Sequence, residues 1–276
     1  MTFRYLGTAA AEGWPAMFCA CEACRKAAAA GGKNIRTRSQ AVIDGRLLID
    51  FPADTYLHYL QGGMDLPRIR SCLITHDHSD HLYAPDLEMR RNSFAYPPVE
   101  GPLTFYGPAP AGRAIRAAME EFDLEANGRV RFVQVTPYVP FEVENYTVTA
   151  LKADHDPACE PVFYCIGDGT RTILYAHDTG YFPDDTWAYL ESVRPRFDFV
   201  SLDCTVGIDS CRHGHMDVRT ADEVRRRLLE EGMADARTVF CTNHFSHNGR
   251  ADYDEMVPVA ARYGMQVSYD GMTLTI

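Results

Sequence analysis

The sequence predicts an α/β sandwich of four layers, two β-sheets packed face to face with helices on both outer surfaces. Three observations lead there. Short runs of β-branched and aromatic residues recur along the whole chain, helical stretches separate them, and the runs fall into two groups, one in each half. Most of the runs have the β-branched and aromatic content expected of buried strands.

In chain order, the first half reads as strands over residues 1–6, 40–50, 69–75, 103–106 and 129–135. The second half reads as strands over 146–152, 162–166, 172–176, 197–203, 238–242 and 266–269. Helices are expected over 53–61, 111–121, 184–193, 220–231 and 252–263. Asp184-Asp185-Thr186 and Thr220-Ala221-Asp222-Glu223 place cap-forming and acidic side chains in first turns, where unpaired backbone N–H groups favour them. No internal repeat, low-complexity tract or Gly/Ser linker interrupts the 276 residues, so a single domain over 1–276 is expected. Residues 83–100, with Pro85, Pro97 and Pro98 around Arg90-Arg91-Asn92-Ser93-Phe94, read as a surface excursion and a candidate lid or substrate wall.

The net charge is −11, with 27 Lys+Arg against 38 Asp+Glu, which disfavours extended nucleic acid but leaves room for a small anionic substrate held by bound cations. The N-terminus lacks a basic stretch followed by an apolar core, and no window has the roughly 18 apolar residues of a membrane span. A cytoplasmic protein without membrane contact is expected; a homodimer is compatible with the composition. Cys19, Cys21 and Cys24 stand in a C-x-C-x2-C loop at about 15–30, a spacing suited to thiolate ligands of a structural zinc. Three thiolates are one ligand short, and His247 is the candidate fourth. The other six of the nine cysteines read as buried reduced thiols.

Directly after the apolar run Cys72-Leu73-Ile74-Thr75 come His76-Asp77-His78-Ser79-Asp80-His81. Three imidazoles and two carboxylates on a loop leaving a strand end can converge on one point, and they are good ligands for zinc, manganese or iron.

This HxHxDH run resembles the signature of the metallo-β-lactamase superfamily, whose fold is the αββα sandwich. The resemblance implies that further ligands follow later strands, and His155, Asp178 and His244 stand where they are called for. It implies two catalytic divalent metals (zinc, manganese or iron), with His76, His78 and His155 on one, Asp80, His81 and His244 on the other, and Asp178 between them. Asp80 is counted with the catalytic groups as well. Asp50 would support the site, and Asp77 would orient a ligand or accept backbone hydrogen bonds. Gly7-Thr8, Pro15, the Cys triplet and His244-Phe245-Ser246-His247 narrow the likeness to phosphodiesterases that open phosphoribosyl 1,2-cyclic phosphate in the carbon-phosphorus lyase pathway. That implies hydrolysis of a small phosphodiester by a hydroxide held between the metals. His215 would be the general acid, supported by Asp217, with His213 its competitor. Arg36, Arg38, Arg90 and Arg91 are candidate phosphate clamps because guanidinium matches phosphate geometry. The alternatives are a tRNA 3′-processing nuclease, a protein resembling that of pyrroloquinoline quinone biosynthesis, and a non-catalytic metal- or redox-sensing module.

Overall fold

In the computed structural model, which describes residues 1–96 and 100–276, the chain builds the two expected sheets. The strands of the first half are β1 (Thr2–Gly7), β2 (Gln40–Ile43), β3 (Leu47–Ile49), β4 (Ser71–Leu73), β5 (Leu103–Gly107) and β6 (Val130–Gln134). Those of the second are β7 (Phe141–Val143), β8 (Tyr146–Lys152), β9 (Val162–Gly167), β10 (Thr172–Ala176), β11 (Phe199–Asp203), β12 (Val239–Asn243), β13 (Gln266–Val267) and β14 (Thr273–Thr275). The sheet orders are β14-β1-β2-β3-β4-β5-β6 and β13-β12-β11-β10-β9-β8-β7. Each sheet runs through three antiparallel pairings and then three parallel ones. The last strand departs from the two-halves reading, because β14 crosses back to pair with β1.

Alternation decides which side chain goes where. Phe3, Tyr5, Ala41, Ile43, Leu47, Ile49 and Leu73 point inward and meet Tyr146, Val148, Tyr164, Ile166, Tyr175 and Phe199 of the opposite sheet. Val42, Leu48 and Cys72 point outward into a second cluster beneath α3 (Ala109–Glu121). On the far side, Leu174, Val200 and Leu202 pack under helices that include α4 (Asp184–Val193), α5 (Val218–Glu230) and α6 (Tyr253–Arg262).

The short α2 (Thr55–Leu60) lies within its expected range, whereas α1 (Glu22–Ala30) was not expected, because the cysteine spacing there reads as a loop. Cys21 caps α1 by accepting from the Cys24 N–H, the alanines propagate it, and Gly31 ends it at φ 64° with its N–H on the Ala27 carbonyl. Asp184 and Asp185 do occupy the first turn of α4, but α5 begins two residues before the expected Thr220 and is capped by Asp217. Residues 84–90 of the supposed lid form a 3-10 helix whose Leu87 is buried in the outer cluster, and positions 97–99 lie outside the described residues.

Candidate metal centre

Every expected ligand follows the C-terminal end of a strand on one edge of the sandwich. His76 to His81 leave β4, His155 leaves β8, Asp178 leaves β10 and His244 leaves β12. Asp178 and His244 take left-handed φ values of 49° and 65°, a conformation that crowds Cβ and is held only where the surroundings require it.

The donors gather in two groups, His76 with His78 and His155, and Asp80 with His81, Asp178 and His244. His78 Nδ1 lies 3.0 Å from His76 Nε2 and 3.2 Å from His155 Nε2; in the second group His81 Nε2 and His244 Nε2 are 3.3 Å apart. A cation about 2.0–2.1 Å from each of four ligands sets them roughly 3.4 Å from one another, so the spacings fit. Asp178 Oδ2 is the sharper test. Among the described residues it is buried without a hydrogen-bond partner, although His81 Nε2 and His244 Nε2 come within 2.5 and 3.1 Å and His76 Nε2 within 3.9 Å. An oxygen surrounded by imidazole nitrogens that aim no N–H at it suits a shared cation ligand.

Electrostatics agree. Burial pushes His76 well below the usual histidine value, favouring the neutral ring that binds a cation. Burial would depress His244 as well, but Asp178 and Asp80 bring it up to about 10, and Asp80, Asp178 and Asp50 likewise hold His81 high. The carboxylates therefore demand positive charge at this point.

Most of the remaining ring nitrogens are held in place. His81 Nδ1 meets Asp50 Oδ2 at 2.7 Å, His244 Nδ1 meets the Thr205 hydroxyl at 2.8 Å, and His76 Nδ1 meets the Thr75 hydroxyl at 3.0 Å. His155 Nδ1 lies 3.0 Å from the Gly214 carbonyl, whereas Asp156, 3.6 Å from His78 Nε2, is beyond hydrogen-bond length. Such partners fix ring orientation and tautomer. Asp50 thus has its expected supporting position. Asp77 orients none of these rings, and its Oδ1 is buried without a partner among the described residues.

A cavity of about 390 Å³ opens over the donors, lined by His78, Asp80, His155, Asp178 and His244 together with His215 and other residues of the loops after β1, β11 and β12. His215 Nδ1 is 3.3 Å from Asp203 Oδ2 and 3.4 Å from Asp178 Oδ1. Burial would lower its pKa, but Asp203 and Asp178 raise it above the ordinary value. The competitor His213 is 83% exposed, pairs with Asp154 at 3.1 Å and does not line the cavity. Asp217, expected to support His215, instead accepts from the N–H groups of Cys211, Arg219 and Thr220 at the start of α5. Asp203 takes that place. It ends an apolar strand as Asp50 does, which is the signal that could have found it.

The four arginines do not line the cavity. Arg36 is buried against Thr8 and the Ser268 carbonyl, Arg38 pairs with Asp54, Arg90 bonds the Arg129 carbonyl, and Arg91 pairs with Glu88. Nor does any described residue of the supposed lid line it.

Cys19, Cys21, Cys24 and His247 form a separate donor group. His247 Nδ1 lies 3.4 Å from Cys21 Sγ and 3.8 Å from Cys19 Sγ, close to the roughly 3.6 Å edge of a tetrahedral zinc site. The Cys24 N–H bond to its sulfur brings the Cys21 thiol down to about 6.

A family model described as the beta-lactamase superfamily domain matches residues 46–240. Among curated proteins, ribonuclease Z of Listeria innocua is 26% identical over 127 residues, 45% of this chain and 41% of that protein, so the match spans less than half of the relative's length. Among solved structures, a diphosphatase of the PhnP family superposes with TM-score 0.74 at 19% identity, covering 100% of this chain and 97% of the other. Zinc-bound PqqB from Methylobacterium extorquens gives TM-score 0.74 at 20% identity, covering 100% of both chains. The human short-form tRNase Z gives 0.66 at 18%, covering 100% and 99%. At these identities the superpositions establish the shared fold.

Proposed function

The chain belongs to the beta-lactamase superfamily, and from that premise we propose that it is a metal-dependent hydrolase of small phosphodiesters. His76, His78 and His155 hold one divalent cation in this reading, Asp80, His81 and His244 the other, with Asp178 shared. The observation that carries the reading is the Asp178 carboxylate. Its Oδ2 faces imidazoles of both donor groups while its Oδ1 lies 3.4 Å from His215 Nδ1, so cation ligands and a proton donor meet in one cavity.

A pair of divalent cations there supplies positive charge that acidifies a water and polarises a phosphoryl oxygen. The protein supplies orientation and the second proton transfer. Because His215 Nδ1 is engaged by Asp203, the transferable proton is the one on Nε2, and it goes to the departing alkoxide. Asp203 favours the charged ring before transfer, as the raised pKa of His215 requires. The Cys19, Cys21, Cys24 and His247 group holds a structural zinc that ties the N-terminal loop to the segment after β12.

A cavity of about 390 Å³ suits a small ester, and its described lining contains neither Lys nor Arg to follow a nucleic-acid backbone. The test is hydrolysis of bis(p-nitrophenyl) phosphate and cyclic nucleotides by protein loaded with zinc, manganese or iron, with a precursor tRNA in parallel. Turnover of the small diesters is expected. Failure with all three metals, or cleavage of the tRNA alone, overturns the reading.

A further inference from the structure

We propose that Glu12 sets the specificity of the cavity, and that the substrate is a phosphodiester whose alcohol portion carries hydroxyl groups near the ester and no second phosphate. This rests on the phosphodiesterase reading and narrows it.

Beyond the cation ligands and His215, the wall comes from the loop after β1, which contributes Glu12, and from Thr205, Ser246 and Asn248 on the loops after β11 and β12. Glu12 is the one ionisable side chain among these described wall residues, and it is an anion. A second phosphate is ordinarily met by guanidinium or ammonium groups, which this wall lacks, and a carboxylate in the wall repels it.

Glu12 is also fixed. The Ser246 hydroxyl donates to its Oε1, and His247 Nε2 lies 3.6 Å from the same oxygen. Ser246 is itself buried and accepts from the Asn248 N–H at 3.1 Å. The backbone is pinned as well, by the Ala10 N–H on the Phe245 carbonyl and the Met17 N–H on the Glu12 carbonyl. His247 turns its other nitrogen to Cys21 and Cys19, so the thiolate group and the cavity wall share one imidazole. With Oε1 engaged, Oε2 accepts from no donor among the described residues. A held carboxylate with a spare oxygen favours a partner that brings O–H donors, and a ligand without them leaves it unpaired.

Three p-nitrophenyl phosphodiesters separate the terms, their second alcohol being ethanol, glycerol or glycerol phosphate. With metal-loaded wild-type protein, kcat/KM for the glyceryl ester should exceed that for the ethyl ester by on the order of tenfold, the effect of one added hydrogen bond. The phosphoglyceryl ester should fall below the glyceryl ester by a similar factor. In Glu12→Gln, which keeps an acceptor oxygen but loses the charge, the diol preference should shrink and the penalty on the second phosphate should vanish. Calorimetry with the glyceryl and ethyl esters of methylphosphonate reads the same preference without turnover. Equal wild-type values for ethyl and glyceryl esters, a best rate with the phosphoglyceryl ester, or unchanged ratios in Glu12→Gln overturn the proposal and leave the phosphodiesterase reading standing. Absence of turnover with all three esters overturns that reading, and the calorimetric comparison then decides the role of Glu12 alone.

Discussion

An imidazole that is to hold a cation must present one nitrogen and have the other occupied, or the ring turns away. The residues doing the presenting were legible, because His76 to His81 sit within one loop and the later ligands each follow an apolar run. The residues doing the holding were not. Thr205 and His244 are 39 positions apart, and Asp203 and His215 are 12 apart, so only the folded sheet edge brings them together. Adjacency in sequence suggested Asp217 for His215 and misled, since a carboxylate just ahead of a helix is drawn to its free N–H groups. Two predictions belong at this scale. His215→Ala should slow diesters with alkyl leaving groups by roughly a hundredfold or more while affecting p-nitrophenyl esters far less, and Asp203→Asn should follow the same pattern more weakly; a leaving-group series checks both, and equal losses across it remove the proton-donor role. The second concerns His58, buried between Gln40 and Thr37, whose pKa burial lowers to about 4. Its unfolded value near 6.5 is higher, so the unfolded chain takes up the proton first. Stability from this group is therefore full above about pH 6.5 and is lost as pH falls towards 4, by up to about 3 kcal/mol. Denaturant melts of wild type and His58→Asn across that window should converge as pH falls; parallel curves would show that His58 titrates normally.

Elements with long apolar patterns were legible to within a few residues, as α4 and β8 show, because burial and periodicity agree there. α1 was missed for a physical reason: its cysteines serve as ligand candidates and as part of a helix start at once, with Cys21 acting as the cap. β7 and β14, three residues each, are specified by the neighbours they pair with and carry little pattern of their own. With a zinc held there as proposed, this double use of Cys21 would make the N-terminal element depend on its metal. Cys21→Ala should reduce bound zinc by one per chain and lower Tm, because both the cation's folding energy and the cap are lost. Hydrolysis of bis(p-nitrophenyl) phosphate should persist below the new transition. Full thermal stability with lost turnover would contradict this division. Asp217→Ala, by contrast, removes the cap of α5 and the acceptor for the Cys211 N–H, and should cost about 1–2 kcal/mol in a denaturant melt. Its leaving-group dependence should match that of wild type, since Asp217 does not touch His215.

At the scale of the whole molecule, the two sheets repeat one pattern of pairings, and the ligands divide between them. His76, His78, Asp80 and His81 follow a strand of the first sheet, while His155, Asp178 and His244 follow strands of the second. Each donor group draws on both sheets, so a cation held by either group would join the two layers across an edge where the inner cluster of side chains gives way to polar groups. The duplication was invisible as sequence similarity, because sheet topology constrains only which positions are apolar and not which apolar residue fills them. The consequence is thermodynamic. A cation that binds only when both sheets are assembled stabilises the folded state by RT ln(1 + [L]/Kd), about 2.7 kcal/mol at a hundredfold excess over Kd. Zinc or manganese added to chelator-treated protein should therefore raise Tm in a concentration-dependent way. His78→Ala on the first sheet and His155→Ala on the second should each remove the same part of that rise, the part due to the group of three imidazoles, since either loss breaks that group. In Cys21→Ala, whose thiolate group is separate, the rise should remain on top of a lowered starting point. If His155→Ala left the metal-induced shift intact while His78→Ala removed it, the cation would be held by the first sheet alone, and the joining role assigned to it would be wrong.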